Sequence, residues 1–247
     1  MMTQVFNLSL ATATLADDAK QLGVTSKQLQ IIQVTVSITV IQQPIPQLLF
    51  TYDIQLPNER LAAQLNWPNW QESNVKFTDF LWENTCLECF IARTHDADSE
   101  TLSYIELNAS PSGRYALYHF ESYRYPASLP PPPLLQQDNK ARACITWHKT
   151  MDKYDRCPAA LAKSPSVNPY DLASCLFISQ HRYQRSFSVP LIQLLTPLSN
   201  SHAQNRDITH IHPCVILKFA QTLLYYAPAH ASPPDFHQRD YWSPFKD

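Results

Sequence analysis

The sequence predicts an all-β fold, an antiparallel β-sandwich with few short helices. Three observations carry this reading. Apolar and polar residues alternate with period two over long stretches, helical periodicity is scarce, and the breaks between apolar runs are built from Pro, Asn, Asp and Ser. Many short strands and few helices suit packed antiparallel sheets.

The first strand is expected over positions 30–41, where Ile32, Val34, Val36, Ile38 and Val40 alternate with Gln33, Thr35, Ser37 and Thr39. Leu48, Phe50, Tyr52 and Ile54 repeat the pattern after Gln42-Gln43-Pro44-Ile45-Pro46, whose prolines cannot donate to a ladder. The two runs read as a hairpin. Asn58 can cap a short helix over 58–65, which Pro68 follows. Further strands are expected at 81–92, 101–108, 114–123, 142–149, 173–181, 186–191, 215–220 and 223–227. Between them, 125–133 ends in the four prolines Pro130 to Pro133 and should be extended and stiff. Polar stretches at 152–170 and 199–207 read as loop insertions into a single domain spanning 1–247.

Composition then removes function classes. Of 247 residues, 45% are hydrophobic and 16% charged, a globular balance. Only two are glycine, Gly23 and Gly113. Dinucleotide fingerprints, phosphate-binding loops and the G-x-S-x-G nucleophile elbow each need closely spaced glycines, so none fits in standard form. With 19 Lys+Arg against 21 Asp+Glu and no basic run, the chain has no field to draw it to nucleic acid. No apolar stretch is long enough for a membrane helix, and Met1-Met2-Thr3-Gln4-Val5-Phe6 lacks the basic and apolar regions of a signal peptide. A cytoplasmic location is expected. Cys86 and Cys89 form C-x-x-C without a second pair, and Cys144, Cys157, Cys175 and Cys214 are isolated, so buried reduced thiols are expected rather than zinc or disulfides.

Four blocks carry a family resemblance: Leu49-Phe-Thr-Tyr-Asp-Ile-Gln-Leu-Pro57; Leu81-Trp-Glu-Asn-Thr-Cys-Leu-Glu-Cys-Phe-Ile91; Tyr104-Ile-Glu-Leu-Asn-Ala-Ser-Pro-Ser-Gly113; and Tyr226-Ala-Pro-Ala-His230 with Pro234-Asp-Phe-His237. From about residue 30 onward the chain resembles the bacterial DOMON-like proteins, of the superfamily that includes family 9 carbohydrate-binding modules. The resemblance implies a β-sandwich whose relatives bind sugars or haem. Cys89 departs from it, since relatives usually carry an apolar residue there. Ala231-Ser-Pro-Pro234 departs too, replacing a glycine common before the D-F-H.

The candidate chemistry centres on Glu88 and Glu106. Alternation puts Cys86, Glu88 and Phe90 on one strand face and Tyr104, Glu106 and Asn108 on one face of the next, so a register pairing 88 with 106 would bring the carboxylates together. Arg114 and Arg124 are the available cations, because a buried unpaired carboxylate is costly. Three readings stand: a structural hydrogen-bonded network, a sugar-binding face with Trp82, Tyr104 or Tyr118 as stacking platform, and a glycosidase carboxylate pair. His210, His212 and Cys214 share one face of an extended chain and could ligate zinc, although Pro213 should interrupt a strand there. Met151 is the one internal methionine for a haem site. His230, Asp235 and His237 belong to the resembling C-terminal block, as a site or as an anchor. The expectation is a non-catalytic binding module for a carbohydrate or glycan precursor, without cofactor or metal, and with no nucleic-acid or membrane partner.

Overall fold

The computed structural model describes residues 2–93, 103–148, 181–194 and 208–246. The elements expected at 152–170, 173–180 and 199–207 lie outside the described residues, as do Met151, Cys157 and Cys175. Eleven strands form a single antiparallel sheet: β1 (Met2–Leu10), β2 (Gln33–Ile41), β3 (Gln47–Gln55), β4 (Cys86–Arg93), β5 (Tyr104–Ala109), β6 (Tyr115–Phe120), β7 (Thr146–His148), β8 (Arg182–Pro190), β9 (Ile208–Phe219), β10 (Thr222–Ala227) and β11 (Ser243–Pro244). Their order is β6-β5-β4-β9-β10-β1-β2-β3-β8-β7, with β11 paired to β9. The fold is mostly antiparallel β.

The sheet curls. Residues of its β2-β3-β8 half, such as Val36, Phe50, Tyr52 and Phe187, share one hydrophobic cluster with Leu87, Ile91, Ile105, Leu117 and Val215 of the β6-β5-β4-β9 half. The Tyr52 hydroxyl donates across this core to the Glu88 carbonyl at 2.7 Å. In β2 and β3 every second residue is buried, the signature of one wet face. In β4 and β5 every residue is buried, so both faces of that half are covered.

The hairpin expected before residue 56 is present, with Ile41 paired to Gln47. Asn58 caps the helical turn Glu59–Ala62 by accepting from the Leu61 N–H at 3.0 Å. Elsewhere the boundaries move. The segment before residue 30 is not a polar lead-in: β1 joins the two halves of the sheet by pairing with both β2 and β10. It is followed by α1 (Leu15–Leu22), closed by Gly23 at φ 63°, and by α2 (Ser26–Gln30). Leu81–Glu83 is a 3₁₀ turn rather than strand, and Lys218 Nζ donates to the Glu83 carbonyl and to Asn84 Oδ1 where the chain bends into β4.

β9 starts at Ile208 and runs through Pro213 without interruption. Pro213 sits beyond the pairing of β11, which reaches Ile211, and before that of β10, which starts at Val215. A residue lacking an N–H is tolerated there because no strand pairs with it on that edge. The proline run lies extended beside β6: the His119 N–H donates to the Pro132 carbonyl and the Leu134 N–H to the Leu117 carbonyl. Prolines on an edge offer no donors to a further strand. Among the described residues no helix is long and apolar enough to cross a membrane.

Candidate functional site

The outer face of the β6-β5-β4-β9 half carries Phe90, Tyr104, Tyr118, Phe120, Cys214 and Ile216, which pack into two smaller apolar clusters. Two segments cover it. Phe77 and Trp82 come from the chain leading into β4, and Phe236 and Trp242 from the chain after β10. The cover is incomplete. It leaves a cavity of about 480 Å³, within the range of small-ligand sites.

Glu88 and Glu106 face this cavity from β4 and β5, with Phe90, Phe120 and Ile216 beside them. Trp82, Tyr225, Phe236 and His237 add aromatic wall, and Arg124, Asp235 and the 127–131 segment form the rim. The register differs from the one expected. Glu88 pairs with Asn108 and Glu106 with Phe90, so the two carboxyls are diagonal neighbours on one face rather than directly opposite. They still meet at the same cavity.

The C-terminal segment is held in place by its own sequence. Asp235 accepts from the His237 N–H at 3.0 Å, an Asx turn, and the Trp242 indole N–H donates to the Phe236 carbonyl at 2.9 Å. Asp235 also receives Arg124 Nη2 at 2.8 Å and the Tyr123 hydroxyl. Burial raises the pKa of Asp235, but bonds from Tyr123, Arg124 and the His237 N–H prevail and hold its carboxyl below the ordinary value. It is ionised and paired.

His237 reads differently. The Arg124 N–H donates to the Tyr104 hydroxyl at 3.1 Å, and that hydroxyl lies 2.7 Å from His237 Nδ1. The hydroxyl and Nδ1 are within hydrogen-bond distance, and Nε2 lies 3.7 Å from Glu106 Oε2. Burial, helped by the Arg124 charge, pushes His237 down to about 3. Its contact with Glu106 is therefore polar but not an ion pair.

The two glutamates are 3% and 5% exposed. Burial pushes Glu106 up to about 7, although Asn108 Nδ2 donates to its Oε1 at 2.7 Å and Arg124 pulls the other way. Glu88 is raised well above the usual carboxylate range, first by burial and then by Glu106. Its carboxyl contacts the Cys86 thiol, but Oε1 is buried with no hydrogen-bond partner. Glu88 lines the cavity, and this atom beside it is sealed from solvent and unsatisfied, which native interiors seldom permit.

Of the other expected residues, Tyr104 and Asn108 stand behind the site, positioning His237 and Glu106. Tyr118 is buried, donates to Asp79 at 2.9 Å and meets the Trp82 ring edge-on at 6.0 Å. Arg114 does not join them. It is exposed at the turn between β5 and β6, where its carbonyl receives the Ser110 N–H. His230 bonds the Ser9 carbonyl at 2.7 Å and leans on Phe236, an anchor rather than a wall. His210, His212 and Cys214 share a face of β9, but His212 stacks on Trp242 at 6.1 Å, and among the described residues no group of three His, Cys, Asp or Glu could hold a metal. Cys86 and Cys89 face opposite sides of β4, one under the cavity and one in the main core, and both are free thiols.

Sequence reasoning missed Tyr225, Phe236 and the 127–131 rim. Phe236 lay inside a quoted motif. Tyr225 was accessible from parity, since it pairs with Ile216 across β9 and β10 and so shares its face. The rim is non-periodic chain, which carries no such signal. No protein-family model, curated protein or solved structure matches the chain.

Proposed function

We propose that this chain is a non-catalytic, DOMON-like β-sandwich that binds a small carbohydrate-class ligand in the cavity on its outer face. The observation that carries the reading is an aromatic-walled cavity of about 480 Å³ lined by the buried carboxyls of Glu88 and Glu106. Ligand sites pair mostly apolar walls with a few convergent polar groups. Trp82 and Phe236 offer ring faces to a sugar's C–H surface, while Glu88, Glu106 and Arg124 offer hydrogen bonds to hydroxyls.

A thermal-shift screen against mono- and disaccharides tests it. A ligand at a hundredfold excess over its Kd stabilises by about 2.7 kcal/mol, a rise of roughly 5–10 °C for a domain of this size. The rise should vanish in Trp82→Ala. If no sugar moves the melting temperature, the carbohydrate reading falls. A second reading, glycoside hydrolysis, has one observation behind it: two carboxyls, both raised by burial, share the cavity. Release of free sugar from a glycoside that also raises the melting temperature would favour that reading over simple binding.

A further inference from the structure

The charge inventory of the cavity does not balance. Arg124 and Asp235 neutralise each other at the rim, 2.8 Å apart, with the guanidinium about half exposed to solvent. His237 carries no charge. Among the described residues no other cation lines the cavity, and no lysine does. That leaves Glu88 and Glu106, nearly fully buried on one face of β4 and β5, with no positive partner of their own. A carboxyl pair in such a place stays neutral by holding protons, unless something else brings positive charge. The walls suit that something. Trp82, Phe90 and Phe236 line the cavity with aromatic rings, and ring faces attract alkylammonium groups most strongly where water is excluded.

We infer that the cavity receives the ammonium group of a small organic cation at Glu88 and Glu106, so that, on the carbohydrate reading above, the ligand is an amino sugar. Both carboxyls line the cavity, and Glu88 Oε1, sealed from solvent, has no hydrogen-bond partner of its own. The exchange balances: the ligand enters as R–NH₃⁺, a carboxyl releases its proton to solvent, and the resulting carboxylate faces the ammonium. A metal dication is a poorer match, because among the described residues no group of three His, Cys, Asp or Glu is placed to hold one.

The proton release makes affinity depend on pH. The groups acting on Glu106 are Tyr104 and Asn108 on its own strand, and Glu88 and Cys86 on β4. Tyr118 acts from β6, Cys214 from β9, Arg124 from the turn after β6 and His237 from the C-terminal segment, where Asp235 pairs Arg124. Among these Glu106, pushed by burial up to about 7, is the group that changes charge between pH 6 and 8. An amine that stays protonated over that range should therefore bind about tenfold more tightly at pH 8 than at pH 6.

Isothermal titration of the full chain with 6-amino-6-deoxyglucose, glucose and cyclohexylamine tests this. The expected result is that the amino sugar binds at least about tenfold more tightly than glucose and gains affinity from pH 6 to 8. It should also release protons, read from the heats in two buffers of different ionisation enthalpy. In Glu88→Gln, its preference over glucose should shrink about tenfold while the melting temperature stays at or above that of the wild type. Glucose binding as tightly as the amino sugar would overturn the ammonium inference and leave the carbohydrate reading standing. Cyclohexylamine matching the amino sugar while glucose fails would do the reverse. Binding of none of the three would sink both.

Discussion

Replacing Glu106 by glutamine keeps the side chain's shape and its place beside Asn108 but removes its proton chemistry. The magnitude follows from the site. Burial lifts this carboxyl from its ordinary 4.5 to about 7, a difference of about 3 kcal/mol at about 1.4 kcal/mol per pH unit. The sign follows from linkage. The folded chain holds the proton more tightly than the unfolded chain, so the stabilisation is complete below pH 4.5 and is lost as pH rises through about 7. Glu88 adds to the loss in the same direction. His212 and His237 oppose it, since burial pushes both down to about 3 and they withdraw stability as pH falls below 6.5. His210 and His230, lowered by burial as well, add to that opposition, so the wild-type curve alone does not report the carboxyls between about pH 4.5 and 6.5. The difference between wild type and Glu106→Gln isolates the carboxyl. Thermal unfolding followed by circular dichroism at pH 4.5, 6, 7 and 8 should show the wild type losing roughly 6–12 °C relative to the variant across the series. Two melting curves that stay parallel within about 2 °C would show that Glu106 titrates normally, and the charge argument for the cavity would go with it.

Three further outcomes follow from the fold. Gly113, at φ 113°, lies where side chains are rarely accommodated, and an added Cβ would sit 3.1 Å from the Gln71 carbonyl oxygen. At Gly23, φ 63°, the clash is with the movable end of Arg60. Gly113→Ala should therefore lower the melting temperature by roughly 4–12 °C and Gly23→Ala by about half that. Equal losses would contradict the turn geometry. Tyr52→Phe removes the hydroxyl that bridges the core to the Glu88 carbonyl, and should cost about 1–2 kcal/mol in a denaturant titration with the m-value unchanged. Finally, Cys86, Cys89 and Cys214 are buried, and burial pushes their thiols up in pKa, while Cys144 is partly exposed. Alkylation of the native protein mapped by mass spectrometry should mark Cys144 ahead of those three, and early labelling of Cys86 would show that the cavity floor opens.

How much of this was legible in the sequence depends on what covers each strand face. β2 and β3 have a wet face, so Thr35, Ser37, Thr51 and Asp53 alternate with core residues and the hairpin could be read directly. β4 has no wet face, and Cys86-Leu-Glu-Cys-Phe-Ile-Ala-Arg93 shows no alternation because both sides are covered. Its start was placed five residues early because Leu81 and Trp82 extend the apolar run, although Glu83 and Asn84 mark the turn that precedes the strand. β1 was missed although Phe6 and Leu8 are buried in alternation, because that buried alternation spans only the two apolar positions Phe6 and Leu8 between exposed residues.

The candidate site shows the same limit from the other side. Parity placed Glu88 and Glu106 on one surface, and that surface does carry both. Parity could not give the register, because a shift of two residues leaves every side chain on the same face. Direct pairing of 88 with 106 and the observed pairing of 88 with 108 are thus equivalent to any argument from alternation. The difference is chemical. The observed register gives Glu106 the Asn108 amide two residues along its own strand, and leaves Glu88 Oε1 with nothing. One carboxyl is positioned by the fold and the other keeps an unpartnered oxygen, an asymmetry that arises from the strand register rather than from either residue's identity. The burial that conceals the pair from a sequence reading also raises the pKa of both, so the property that makes the site hard to see is the one that makes a cationic ligand favourable there.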